Sequence, residues 1–299
     1  MHPDTVMFPL SPGVKPRIEE NYAAEADAAR AAGLDVVLLD HDAACAGRFE
    51  DALRRLPTVE GTRRLLYRGW MLRVEHYAGL LSALRTKGYE PLTGADDYAA
   101  CHELPGWYGL VEDLTPRSRW IAHGPPFDEV ELRGLLSGWA GPLVLKDYVK
   151  SEKHAWKEAC FIPDPSDHAA AARVVARFLE LRGDGFEGGL VVREFVPLRR
   201  TGIHPRSGMP LSEEIRTFWA RGRLIAAGDY WGDAALSGVP AEIREAARRV
   251  DRPFFTVDGA RREDGGWIVM EVGDGQVSAL PDAMSPAEFY RGWTAEPRG

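Results

Sequence analysis

The sequence predicts an α/β fold in its N-terminal third and a strand-rich architecture after it. Three observations carry this. Strand-type and helix-type segments alternate with short connections over roughly the first ninety residues. A Pro/Gly-rich break, His123-Gly124-Pro125-Pro126, then opens a second unit. The last third consists mainly of short apolar runs separated by charged, Gly-containing turns.

Val6–Leu10 reads as a short strand closed by Ser11-Pro12-Gly13. Glu19–Ala32 is Ala-rich and predicts a helix, with Gly33 as its C-terminal stop. Val36–Leu39 and Arg64–Leu66 read as buried strands, and Val74–Leu84 as a helix ended by Lys87-Gly88. This alternation predicts a small parallel sheet. Past the break, Phe127–Trp139 predicts a helix. Pro142–Tyr148 and Ala159–Ile162 predict two strands joined by a Lys-rich turn. Asp164-Pro165-Ser166 caps a helix over His168–Leu181, and Gly188–Val196 is again a strand. Ile215–Trp219 and Arg223–Ala227 flank Ala220-Arg221-Gly222 in a hairpin pattern. Glu242–Arg249 predicts a short helix, Phe254–Asp258 and Trp267–Val272 two more strands, and Pro286–Trp293 a closing helix.

Composition excludes several classes. The 299 residues carry a formal net charge of −8, which argues against nonspecific nucleic-acid binding. No run of about 18 apolar residues exists, so no membrane partner is expected. The N-terminus lacks a basic segment followed by an apolar core. The three scattered cysteines, Cys45, Cys101 and Cys160, show no CxxC spacing, and the expected compartment is reducing and cytoplasmic.

Against that acidic background, Lys146, Lys150, Lys153 and Lys157 fall within twelve residues, directly after the apolar run Pro142-Leu143-Val144-Leu145. Lysines at a strand end and along the next turn can receive a polyphosphate. A solvated charged hairpin would have the same composition. Three further elements follow in order: Val191-Val192-Arg193-Glu194-Phe195-Val196, Glu213-Glu214-Ile215-Arg216, and Val257-Asp258-Gly259 with Met270-Glu271-Val272-Gly273-Asp274. The last places two acids at the ends of neighbouring antiparallel strands. Paired carboxylates beside lysines and arginines suit Mg²⁺ with a triphosphate, because Mg²⁺ takes one or two carboxylates plus phosphate oxygens and water.

On Pro142–Lys146, Val191–Val196, Glu214-Ile215-Arg216, Asp258 and Met270-Glu271-Val272, the chain resembles the ATP-grasp superfamily over roughly residues 125–280. It looks most like the clade named for two arginines and one lysine, with Lys146, Arg193 and Arg216 in those positions. The resemblance implies an ATP-grasp fold, α/β and α+β: an N-terminal α/β substrate domain followed by two α+β subdomains that clamp ATP. The expected divisions are 1–92, 93–192 and 193–299.

The resemblance also implies roles. Lys146 would touch the α-phosphate and adenine N7, and Lys150 or Lys153 would cover the β- and γ-phosphates. Glu194, Phe195 and Val196 would form the hinge that reads the adenine edge. Arg216, with Lys153, would neutralise the transferring phosphate, and Asp258 and Glu271 would hold Mg²⁺. Arg193 and Arg68 would orient a substrate. The superfamily's Glu-x-Asn ending reads Glu271-Val272-Gly273 here, and Asp274 is the candidate replacement for the missing asparagine. Lys150-Ser151-Glu152-Lys153-His154 replaces the usual Gly-rich phosphate loop, so side chains would hold the phosphates.

Plainer readings stand beside these. Arg193 could be a surface arginine, Glu194 an ion-pair partner, Asp258 a turn residue, and Trp156 and Trp231 packing residues. Arg68 could equally bind a substrate carboxylate or pair with a nearby acid. The implied activity is an ATP- and Mg²⁺-dependent carboxylate–amine ligase acting on small-molecule or peptide substrates through an acyl phosphate. The alternatives are a kinase of a small molecule or nucleic-acid end, and a nucleotide-binding protein without turnover.

Overall fold

Four strands, β1 (Thr5–Pro9), β2 (Asp35–Leu39), β3 (Arg63–Tyr67) and β4 (Tyr89–Pro91), form an all-parallel sheet in the order β2-β1-β3-β4. A computed structural model describes residues 3–11, 16–203, 210–231 and 238–294. Every residue of β1 is buried, as expected for a parallel strand covered on both faces. The helix Val74–Thr86 buries Tyr77, Leu80, Leu81 and Leu84, one stripe at three- and four-residue spacing. The helix Ala23–Ala31 ends at Gly33, whose φ of +81° is the left-handed conformation that glycine adopts without a Cβ clash. Pro12 and Gly13 of the predicted turn lie outside the described residues.

The second sheet is antiparallel. It comprises β5 (Ser118–Ile121), β6 (Leu143–Lys146), β7 (Phe161–Ile162) and β8 (Leu190–Glu194), ordered β5-β8-β6-β7. A small hairpin, β9 (Arg200–Ile203) with β10 (Pro210–Ser212), follows. The third sheet holds β11 (Glu214–Ala220), β12 (Arg223–Asp229), β13 (Phe255–Arg261) and β14 (Trp267–Asp274), antiparallel in the order β12-β11-β13-β14. Arg221 and Gly222 both have positive φ in the β11–β12 turn, the backbone a tight hairpin needs. The helix Ala241–Val250 seals one face of this sheet with Ile243, Ala246, Ala247 and Val250.

Several sequence expectations shift. The helix expected over Phe127–Trp139 spans only Glu129–Leu136. Asp128 and Glu131 form a capping box at its start, and Gly138 at φ +70° follows its end. The strand expected over Ala159–Ile162 shrinks to Phe161–Ile162, because Trp156–Cys160 is wound as one π-type turn. The sequence pattern marks no element between 93 and 122, yet helices Ala95–His102 and Leu104–Tyr108 and strand β5 lie there. Cys101, Leu104, Trp107 and Val111 pack into the core beneath the third sheet, although the expected boundary groups them with the central unit. The closing helix Pro286–Thr294 puts Phe289, Tyr290 and Trp293 into a core shared by β1 and the third sheet. No helix among the described residues is long and apolar enough to cross a membrane.

Candidate functional site

Strand register assembles the first half of the site. Arg216 on β11 stands opposite Asp258 on β13, and Asp258 stands opposite Glu271 on β14. The three side chains therefore form one row across adjacent strands, within the reach of cross-strand neighbours. Arg216 closes the first pair with two bonds, Nε to Asp258 Oδ1 at 2.8 Å and Nη2 to Oδ2 at 2.6 Å. Its Nη1 donates to Ala279 O at 3.0 Å, and its guanidinium lies 4.6 Å from the Tyr230 ring centroid. Burial disfavours the charge on Arg216, but Asp258 overrides it and holds the arginine above its ordinary range. Burial raises the Asp258 carboxyl, and the Arg216 charge pulls against that rise.

The second sheet supplies the facing cations. Lys146 ends β6, nearly buried, and its Nζ lies 3.9 Å from Glu271 Oε1 and donates to Val149 O at 3.4 Å. Burial lowers the Lys146 pKa, with Glu271 opposing. The Glu271 side chain is 47% exposed. Burial would raise its carboxyl, but Lys146, Lys153, Arg216 and Lys150 together hold it below the usual range. Lys153, at the start of the turn Lys153–Ala155, also acts on Asp258, Glu214 and Tyr230. Lys146 on β6, Lys150 and Lys153 in the loop after it, and Arg216, Asp258 and Glu271 on the third sheet are thus electrostatically coupled across one cleft.

Arg193 faces the same cleft as a strut. Its Nη2 donates to Thr115 Oγ1 at 2.5 Å and to Val269 O at 3.3 Å, joining β8 to β14. Burial lowers its pKa to about 10, which Glu271 partly offsets. It is therefore not a surface arginine. At the end of β8, Phe195 meets Phe161 edge-on at 5.2 Å, and Trp156 stacks on Phe161 at 5.2 Å. This aromatic shelf joins residues that the sequence pattern assigns separately to hinge, strand and packing. The N–H groups of Glu194 and Phe195 already donate to Arg117 O at 2.8 Å and Pro142 O at 2.9 Å. Those two donors hold the sheet edge and are not free to read a base.

Two expected site residues lie elsewhere. Arg68 is 1% exposed, with Nε to Glu25 Oε1 at 2.6 Å, Nη2 to Glu25 Oε2 at 3.1 Å and Nη1 to Ser278 O at 2.9 Å. Tyr290 OH donates to the same Glu25 at 3.1 Å. Arg68 ties the N-terminal sheet to the loop after β14 and is not open to a substrate. Asp274 sits three residues beyond Glu271 on one strand, so the two side chains leave opposite faces. It accepts from Gln276 N at 3.0 Å and Gln276 Nε2 at 3.2 Å, and its charge acts on Tyr77, Tyr98 and Cys101. Asp274 therefore cannot replace the asparagine as a ligand beside Glu271. The position that shares Glu271's face is Gly273, where a Cβ would meet Thr256 Oγ1 at 2.9 Å and Ser278 Oγ at 3.1 Å. Trp231 follows β12 and donates its backbone N–H to Asp229 Oδ1 at 2.8 Å, while Gly232 and Asp233 of the polar segment lie outside the described residues.

Among the described residues, no group of three or more His, Cys, Asp or Glu is arranged to hold a metal by protein ligands alone. A Mg²⁺ needing one or two carboxylates, with phosphate oxygens and water for the rest, is compatible with half-exposed Glu271 and its neighbour Asp258.

An antiparallel sheet bearing an Arg–Asp–Glu row, facing a second sheet that ends in lysine, behind a parallel α/β unit, is the layout of an ATP-grasp protein. The chain belongs to that family: residues 136–292, just over half of it, match the model of an ATP-grasp domain, family 3 of the clade named for two arginines and one lysine. Solved structures share the fold. The RimK domain ATP-grasp protein of Sphaerobacter thermophilus is 15% identical over 97% of this chain and 100% of that one, with a TM-score of 0.57. D-cycloserine synthetase DcsG is 16% identical over 96% and 97%, with a TM-score of 0.60. The ATP-grasp ligase PsnB, complexed with a minimal precursor, Mg and ADP, is 13% identical over 97% of each chain, with a TM-score of 0.55. At these identities the likeness is one of fold. No curated protein matches by sequence.

Proposed function

We propose that the chain is an ATP- and Mg²⁺-dependent carboxylate–amine ligase. A substrate carboxylate oxygen attacks the γ-phosphorus of ATP and ADP leaves. An amine then attacks the acyl phosphate carbon, phosphate departs, and the amine proton is lost, leaving an amide. The chain's part is positioning and charge neutralisation. Lys146 holds the α-phosphate. Lys150 and Lys153 cover the outer phosphates, and Arg216 meets the transferring charge. Glu271, with Asp258, would supply carboxylate oxygens to Mg²⁺, which when bound would neutralise phosphate charge. Arg193 holds β8 and β14 together beneath the cleft. The single observation that carries this reading is the convergence of Lys146 and Glu271, from two facing sheets, to 3.9 Å. DcsG is a synthetase and PsnB a ligase solved with a precursor, which supports small-molecule or peptide substrates for this chain.

The test is ADP release from ATP and Mg²⁺ across a panel of acid–amine pairs, with the product detected by mass. An amide product with stoichiometric ADP is expected. A phosphorylated product without amide would select the kinase reading. Gly273, where the superfamily has asparagine, favours one further reading, nucleotide binding without turnover. Tight ATP binding with no ADP from any pair would select that one.

A further inference from the structure

The loop between β6 and β7 carries the proposed phosphate lysines, yet it lacks a Gly-rich backbone to wrap phosphates, and its fixed points are acidic. Asp147, fully buried, accepts at Oδ1 from Val149 N at 2.8 Å and Lys150 N at 2.5 Å. Its Oδ2 accepts from Glu187 N at 3.3 Å. Glu152, in the middle of the Lys150–His154 run, is also buried. Two carboxylates thus sit among Lys146, Lys150 and Lys153, where they would compete with a triphosphate for the ammonium groups.

One residue answers both. Arg182 ends the helix His168–Arg182 and donates Nε to Asp147 Oδ2 at 2.9 Å and Nη1 to Glu152 Oε1 at 3.4 Å. Its Nη2 donates to Gly185 O. The helix C-terminus favours a cation there, and the rigid guanidinium fork can hold both acids at once. We infer that Arg182 is a positioning residue of the nucleotide cleft: it clamps the phosphate loop at its start and near its middle and occupies Asp147 and Glu152, so that the loop lysines stay free for the triphosphate. The inference rests on the ATP-binding reading above. It assigns Arg182 no contact with ATP.

The experiment is calorimetric affinity for ATP with Mg²⁺, which needs no acid or amine substrate. Arg182→Gln should weaken ATP binding about tenfold, because the released acids turn to the lysines. Adding Glu152→Gln to that variant should recover the share of the loss that Glu152 causes, since Asp147 stays held by the backbone N–H groups of Val149, Lys150 and Glu187. A merely structural clamp gives no such recovery, since the double variant has lost both partners. Arg182→Gln binding within about twofold of the wild type, or a double variant no tighter than Arg182→Gln alone, would overturn the inference. If Arg182→Gln does not fold, Arg182→Lys carries the same test: it keeps the charge but not the fork, and its smaller loss should also be relieved by Glu152→Gln. Absence of that relief overturns the inference. A wild-type protein that does not bind ATP overturns the nucleotide reading and the inference together; a binding wild type with an unresponsive Arg182→Gln overturns the inference alone.

Discussion

The two walls of the cleft are built by different means. On the third sheet, Arg216, Asp258 and Glu271 stand side by side because antiparallel register puts them opposite one another. Their placement needs only β11, β13 and β14 to pair. On the facing wall, Lys146 is placed by its strand, but Lys150 and Lys153 depend on a loop held through Asp147 and Glu152 by Arg182, some thirty residues downstream. Register is a local, repetitive constraint that the sequence carries in its alternation. A side-chain clamp is a tertiary contact with no periodicity.

A residue belonging to neither wall sharpens the contrast most. Arg68 and Glu25 form a buried ion pair at the junction between the N-terminal sheet and the loop after β14. Arg68→Ala strands Glu25 without its counter-charge and should cost about 3–5 kcal/mol in urea unfolding. The folded fraction should keep wild-type ATP affinity. A loss under about 1 kcal/mol, or a specific loss of nucleotide binding, would return Arg68 to the cleft.

The register-built wall comes next. Glu271→Gln keeps the strand and the shape but removes the charge that Lys146, Lys153 and Arg216 surround. ADP release should fall about a hundredfold or more, with a smaller change in ATP affinity, since the loss falls on alignment of the γ-phosphate. Wild-type turnover at limiting Mg²⁺ would break the metal assignment. Lys146→Ala should act in the reverse sense, on binding before turnover. Removing one charge-assisted contact should weaken ATP by about 1.5–3 kcal/mol in calorimetry. An affinity within about twofold of the wild type would show that the facing wall does not hold the nucleotide.

These contrasts match what could be read from the chain. The polar row was legible because Arg216, Asp258 and Glu271 interrupt otherwise apolar strands, and burying a charge there is costly without a partner. Lys146 was legible for the same reason at the end of Leu143-Val144-Leu145. Arg68 and Asp274 also interrupt or end apolar strands, so they carry the same signal without belonging to the site; one-dimensional pattern does not say which face or which neighbour a side chain meets. Counting residues along β14 would have separated Asp274 from Glu271, since an odd interval reverses the face. Nothing in the local sequence marked Arg182, which sits where any helix tolerates a basic residue. The helices at 95–108 carry no long apolar stripe that would mark them in the sequence. Their buried residues, Tyr98, Cys101, His102, Leu104 and Trp107, are spread over two short segments.

The smallest expected effect concerns Asp274, on the hidden face of the strand that carries Glu271. Burial pushes its carboxyl from 3.8 up to about 7, more strongly than the hydrogen bonds from Gln276 pull it down. The folded state therefore keeps a proton that the unfolded chain releases above about pH 4. Stability from this group is fully present below that pH, falls as pH rises toward 7, and stays reduced above it. Asp274→Asn removes the titration. It keeps an oxygen for Gln276 N and replaces Oδ2, which has no hydrogen-bond partner, with a donor; Gln276 Oε1, also without a partner, is a neighbouring acceptor. The variant should match the wild type near pH 4 and exceed it by about 1–2 kcal/mol at pH 8, less than the full pKa shift implies because a charged buried group draws water and relaxes its surroundings. Denaturant unfolding at the two pH values reads the difference directly. ATP affinity should not change, because Asp274 faces away from the cleft. An equal stability difference at both pH values would show that the carboxyl is ionised throughout. A loss of ATP affinity would place Asp274 back beside Glu271 and undo the face assignment on which the separation of the two rests.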